Sequence, residues 1–239
     1  MNLQETVEKI QPIDRKMMQV AQKRWDSIAH PLHSLGLFED VLVEIAGMTG
    51  RQDMKIRKKA LVTMCADNGV VEEGVTQTGQ EVTALVAENF LVTQAAASIL
   101  CRECGADIYP VDVGMAVDTK VPSFKTSYGT KNMAKEPAMT REEAIHALEV
   151  GIHMAEKLVG KGYGMLATGE MGIGNTTTSS AVASVLLHKP VEEMTGRGAG
   201  LSGEGLKKKI AVIKQAIDMH KPDPEDAIDV LAKVGGFDI

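Results

Sequence analysis

The stretch GYGMLATGEMGIGNTTTSSA, residues 162–181, passes from a short apolar run through a glycine-rich turn into helical spacing. Gly162–Thr168 reads as a glycine-weakened strand, and a helix is predicted from about Thr176 to Leu187. The turn Gly169–Thr178 has the spacing G-x-x-x-x-G-N-T, one residue away from the phosphate-binding P-loop, with Asn175 where that loop has lysine. Backbone N–H groups of such a turn, together with the positive end of the next helix, favour an anion. Gly172 and Gly174 carry no side chain where a phosphate would approach. Asn175, Thr176 and Thr177 offer donors at or near the N-cap. The alternative is a tight turn that holds nothing, with Glu170 capping a helix.

The same rhythm recurs upstream. Ala60–Ala66 is an apolar run with β-branched residues that ends in Asp67-Asn68-Gly69, and Ala106–Val113 is a second run ended by Gly114. Residues 80–100 are apolar at helical spacing, and residues 114–137 are loop-like. A helix over 140–159 opens on the capping box Thr140-Arg-Glu-Glu143. Further helices are predicted at about 204–220, with Leu206, Ile210, Ile213 and Ile217 on one face, and at 224–234. Strands alternating with helices give an α/β fold with a mostly parallel sheet. Ligands of such sheets bind at the carboxyl ends of the strands, here the turns at 67–79, 112–115 and 169–178. Residues 1–30 and 37–48 have helical spacing around a break at 31–36. They form a first unit, residues 1–50, ahead of the α/β unit at 51–239.

A turn without its lysine suits a monophosphate better than a nucleoside triphosphate, and a P-loop NTPase is set aside on that ground. Glu170 would repel a polyphosphate but could accept a hydrogen bond from a ribose or sit beside a heterocycle. The missing cation has two sources. One is Arg197 in Thr195-Gly-Arg-Gly-Ala-Gly200, and the other is Lys207–Lys209, of which only one can face a given site. Lys209, beside Ile210, is the one whose stem can reach inward. Asp67 and Asp112 each end a strand and are candidates both for ligand contacts and for holding turns. His188 and His220 lie near helix ends, where capping roles fit. Cys101 and Cys104 form a C-x-x-C that closes a helical run instead of following a strand, and no second pair completes a zinc site.

The chain has 239 residues, a formal net charge of −6, 44% hydrophobic residues, and one Trp, three Tyr and four Phe against fourteen Met. A negative charge and few aromatic residues argue against nucleic acid. No uncharged run of about 18 apolar residues is present, so no membrane partner is expected, and no apolar leader segment opens the chain. A reduced, cytoplasmic location is expected.

GEMGIGNTTTSSA closely resembles the signature loop of the nicotinate-nucleotide:dimethylbenzimidazole phosphoribosyltransferase family. Ser34-Leu-Gly36, Met64–Val70 with Glu73-Gly-Val75, Val111-Asp-Val-Gly114 and Asp229–Asp238 resemble that family in the same order. The resemblance implies a Rossmann-like α/β domain flanked by helices, a small helical domain, and a homodimer. It implies transfer of a phosphoribosyl group from nicotinate mononucleotide to 5,6-dimethylbenzimidazole or a related base, giving α-ribazole 5′-phosphate and nicotinate, with no cofactor and no metal. By resemblance, Lys209 supplies phosphate charge, with Gly174, Asn175, Thr176 and Thr177 as donors. Glu170 sits near the ribose and leaving group, and Met171, Gly172 and Gly198 complete the nucleotide site. Thr78 and Gly79 are placed in the base pocket.

Three departures bear on that pocket. Leu32-His33 stand where the family commonly has Pro-Gly before Ser-Leu-Gly, Asn68 where it has His, and Thr78-Gly79 where it often has Ser-Pro. Gly235-Gly236-Phe-Asp-Ile239 reads as the lead into another element, so a chain shortened relative to the family is expected, with its general base in the missing part. A rival expectation is a short paralogue or partner subunit that binds the nucleotide without turnover.

Overall fold

In a computed structural model the chain is described at every residue except 54, 55 and 57. It divides into two compact units, Gln4–Arg57 and Met1–Leu3 with Lys58–Ile239. In the first, α2 (Arg15–Asp26) and α3 (Leu37–Thr49) follow a short α1 (Leu3–Glu8). Asp14 caps α2 by accepting from the amides of Lys16 and Met17. Ala21, Val43 and Ala46 make a small core, with Met17, Met18 and Trp25 packed against it.

The second unit is a three-stranded parallel sheet in the order β2-β1-β3. β1 is Lys59–Ala66, β2 is Ala106–Gly114 and β3 is Met165–Met171. β1 pairs with both neighbours, Cys65 lying opposite Asp112 on one side and Met171 on the other. Side chains alternate across a strand, so β1 feeds two cores. Ala60, Val62 and Ala66 join the larger one, which takes in Met154 and Leu158 of α6 (Arg141–Gly160), Ala181 of α7 (Asn175–Leu186), Ile213 and Ala216 of α9 (Gly203–His220), and Val230 and Val234 of α10 (Ala227–Val234). Cys65 joins the other, with Ala87 and Phe90 of α4 (Glu81–Leu91). Covering both faces is what a parallel sheet requires.

Four expectations need adjustment. The single helix over 80–100 is two, α4 and α5 (Ala96–Glu103), because the chain turns at Val92–Ala95 with Thr93 at φ 57°. Taken as one, Glu81–Glu103 is long and apolar enough to cross a membrane, whereas helices of 11 and 8 residues are not. The third strand begins at Met165 and extends through Glu170 and Met171, because pairing with β1 carries it three residues further. The turn is therefore only Gly172–Gly174. On α9 the buried stripe is Lys209, Val212, Ile213 and Ala216, rotated from the predicted face. A short α8 (Val191–Met194) was not predicted. The capping box at Thr140 and Glu143 forms as expected.

The carboxyl end of β2 is packed too closely for any side chain at Gly114. A Cβ there would stand 2.5 Å from Cδ2 of the Phe237 ring. Gly114→Ala is expected to lower unfolding free energy by about 1–3 kcal/mol in urea denaturation, the cost of overpacking a filled core. An unchanged midpoint would show that Phe237 yields freely.

Candidate functional site

The three strands end at one edge. After β1 comes Asp67-Asn68, after β2 comes Met115, and after β3 comes the glycine turn. Asp112 proves to be a turn-holder. Its Oδ1 accepts from the amides of Gly114 and Met115, and its Oδ2 pairs with Lys125 Nζ at 3.1 Å. Asp67 is also buried, with Oδ2 accepting from Ala116 N at 2.8 Å, and burial foremost pushes its carboxyl up. These carboxylates tie the 114–118 loop to the sheet.

The glycine turn is clamped from below. Ile173 N donates to the Thr83 hydroxyl of α4 at 3.0 Å, and Thr83 is fully buried. Gly174 N-caps α7 at φ 97°, a conformation that favours glycine. Gly172 and Gly174 serve a purpose other than the expected one. A Cβ at Gly172 would stand 2.1 Å from Asp238 Oδ2 and 2.4 Å from the Ala66 carbonyl, and one at Gly174 would stand 3.0 Å from both Asn68 Cβ and Val71 Cγ2. Both missing side chains would point into protein, so these glycines allow the turn to pack down. Gly198 is the glycine whose missing Cβ faces the polar groups, 2.8 Å from Thr176 Oγ1 and 3.6 Å from Lys209 Nζ.

Those polar groups converge on one cavity of about 200 Å³ between the turn, residues 75–78 and residues 197–201. Lys209 reaches it from α9 and is 1% exposed, whereas Lys207 and Lys208 are exposed. Its ammonium donates to Thr176 Oγ1 at 2.7 Å and lies 3.4 Å from the Gly196 carbonyl. Burial pushes its pKa down. No carboxylate is hydrogen-bonded to the ammonium among the described residues. Arg197 lines the cavity but donates to the Leu201 carbonyl, holding its own loop.

Of the residues singled out in the sequence, Thr78, Met171, Gly172, Gly174, Asn175, Thr176, Gly198 and Lys209 line this cavity. Gly79, Glu170 and Thr177 do not. Thr177 is fully buried, with a hydroxyl that has no hydrogen-bond partner among the described residues. Glu170 is exposed on β3, where its carboxylate accepts from the Asn175 side chain, whose Oδ1 in turn accepts from Thr176 N at 2.6 Å. Glu170 lines a second, larger and mostly apolar cavity of about 490 Å³ along β3, together with Gly169, Phe237 and Asp238. Asn68, one of the departures from the family pattern, sits beneath the glycine turn. Sequence reasoning missed Gln77, which donates to the Gly200 carbonyl across the cavity mouth, and Thr83. The only signal for Thr83 is a hydroxyl inside the otherwise apolar Val82–Ala87. Burial foremost, with Cys104 beside it, pushes the Cys101 thiol up, which does not favour a reactive thiolate.

Residues 10–239 match the family described as phosphoribosyltransferase. The chain is 51% identical over its whole length to the nicotinate-nucleotide–dimethylbenzimidazole phosphoribosyltransferase of Ruminiclostridium cellulolyticum, covering 69% of that protein. It is 48% identical over 99% of its length to the protein of that name from Clostridium tetani, covering 66% of it. The crystal structure of CobT from Thermus thermophilus superimposes with a TM-score of 0.88 at 36% identity, over 93% of this chain and 68% of that one. The chain thus spans about two thirds of the length of these relatives.

Filling the Gly198 position is the direct test of the cavity. Gly198→Ala is expected to weaken inorganic phosphate binding at least about tenfold in calorimetric titration, while its positive φ costs only about 1–2 kcal/mol of stability. Unchanged phosphate affinity would place the anion elsewhere.

Proposed function

The chain belongs to the nicotinate-nucleotide–dimethylbenzimidazole phosphoribosyltransferase family, and we propose that it moves the phosphoribosyl group of nicotinate mononucleotide to 5,6-dimethylbenzimidazole or a related base. The products are α-ribazole 5′-phosphate and nicotinate, as in assembly of the lower ligand of cobalamin. The observation that carries this reading is the Lys209–Thr176 pair in a cavity of about 200 Å³, which has room for a phosphate.

The 5′-phosphate enters between the glycine turn and Gly198. Lys209 supplies its charge, and the N-terminus of α7, with Asn175 and Thr176, adds donors. The C1′–nitrogen bond then breaks, its electron pair staying on the nicotinate nitrogen. A ring nitrogen of the incoming base supplies the pair for the new bond. Positive charge gathers on C1′ and the ring oxygen between these events. Glu170, an exposed carboxylate at the end of β3, is suited to stabilise that charge. The second ring nitrogen of the base must lose its proton, and we assign its acceptor to the third of the relatives' length that has no counterpart here. Anchoring the phosphate equally in ground and transition states lowers KM, and orienting C1′ toward the base lowers the barrier. Thr78 and Gly79 are assigned to the side of the base. A homodimer and a cytoplasmic location belong to the same reading.

Calorimetric titration of this chain with nicotinate mononucleotide, beside a turnover assay with dimethylbenzimidazole, tests it. Lys209→Ala is expected to weaken nucleotide binding by about 1.5–3 kcal/mol, as for loss of a charge-assisted hydrogen bond. Lys209→Met, which keeps the apolar stem, should lose as much affinity with less change in stability. Equal affinity in all three proteins would remove Lys209 from the site.

A further inference from the structure

Beneath the glycine turn lies a buried polar pair. Asn68 is fully buried and Asp238 is 4% exposed. Asn68 Nδ2 donates to Asp238 Oδ2 at 3.2 Å and lies 3.4 Å from the Ile173 carbonyl, which it reaches with its other N–H. The remaining oxygens, Asn68 Oδ1 and Asp238 Oδ1, are both buried with no hydrogen-bond partner among the described residues. Both lie beside the position where a Cβ on Gly236 would stand, at 2.5 and 2.4 Å from it. Two unpaired acceptors held together in a dry site are costly. One proton removes the conflict: Asp238 Oδ1–H donates to Asn68 Oδ1 while Oδ2 accepts from Asn68 Nδ2.

We propose that Asp238 is a neutral carboxylic acid paired through two hydrogen bonds with the Asn68 carboxamide, and that this pair positions the Gly172–Gly174 turn. Asp238 is a positioning residue and acts through Asn68. Its carboxyl also packs directly against the turn at Gly172, where no Cβ would fit. Its surroundings support the neutral form. Burial foremost, then Glu170 on β3 and Asp67 after β1, push the carboxyl up to about 7, against the pull of the Asn68 bond and of its own backbone amide. On β1 the neighbouring Cys65 thiol is pushed up to about 12, by burial foremost, and stays neutral. From α7 the group nearest the Gly236 position is the Thr178 hydroxyl, and on α10 Lys233 is paired with Asp229. Ionisation would leave Asn68 Oδ1 facing a charged acceptor, and the amide would turn away from Ile173.

The folded value, about 7, lies above the ordinary 3.8, so the folded chain keeps this proton across that interval. The stability it carries is fully present below the interval and is lost as pH rises through about 7. Asparagine at 238 presents an N–H to Asn68 Oδ1 and a carbonyl to Asn68 Nδ2, so Asp238→Asn keeps the pair without titrating.

Carboxyl ¹³C titration of the 239-residue chain, with the Asp238 signal assigned by its loss in Asp238→Asn, should give a midpoint near 7. The Ile173 and Gly174 amide signals should follow that midpoint in the wild-type chain and not in the variant. A midpoint in the ordinary carboxylate range, or turn amides indifferent to it, overturns the proposal. The ligand consequence rests on the functional reading above. Because only the competent fraction binds, the ratio of wild-type to Asp238→Asn affinity for nicotinate mononucleotide should fall about tenfold between about pH 6 and about pH 8, with the ligand's own titration cancelling. No binding by either protein, with the amide coupling intact, would remove the functional reading and leave the pair standing. Binding with a flat ratio would overturn the positioning role.

Discussion

Everything at the site depends on β1 being paired in parallel on both sides. That arrangement brings Cys65, Asp112 and Met171 level and sends three chains off the same edge of the sheet. Any one-residue slip would exchange the two faces of a strand and place Cys65 in the larger core. The register therefore sets both the packing of the helices and the distance between the first polar turn and the glycine turn. Asn68 can reach Ile173 only because β1 and β3 end together.

Alternation of apolar runs with helical spacing was enough to identify the parallel sheet, and a capping box was enough to start α6. Local signals did not set where β3 stops. Gly169, Glu170 and Met171 look like loop residues, and pairing with β1, a long-range interaction, makes them strand. The break at Val92–Ala95 is likewise invisible to periodicity, since it falls among apolar and small residues. At the site, Lys209 was legible because only one of three consecutive lysines can face inward. The roles of the glycines were not. Spacing marks where a side chain is absent but not which way it would have pointed, and here Gly172 and Gly174 would have pointed into protein. Asn68 and Asp238 are 170 residues apart, and no local pattern joins them.

The polar groups around the glycine turn differ in purpose. Asp112 and Lys125 neutralise each other and fasten a loop. Thr83 and Asn68 support the turn from beneath, one at the Ile173 amide and one at its carbonyl. On the cavity side of the turn Lys209 holds a positive charge with no ion-pair partner among the described residues. A rigid floor and an uncompensated wall form the arrangement expected of a preorganised anion site, where the groups that bind are held by groups that do not.

Lys209 has a consequence outside catalysis. A buried ammonium next to the positive end of a helix, hydrogen-bonded among the described residues to a hydroxyl and a carbonyl, raises the free energy of the folded protein. An anion that fills the cavity removes that cost and is worth more to the folded chain the more of it is present. Proteases act on the fraction that opens, so under the proposed function the supply of phosphorylated ligand would govern how long each copy of the protein survives.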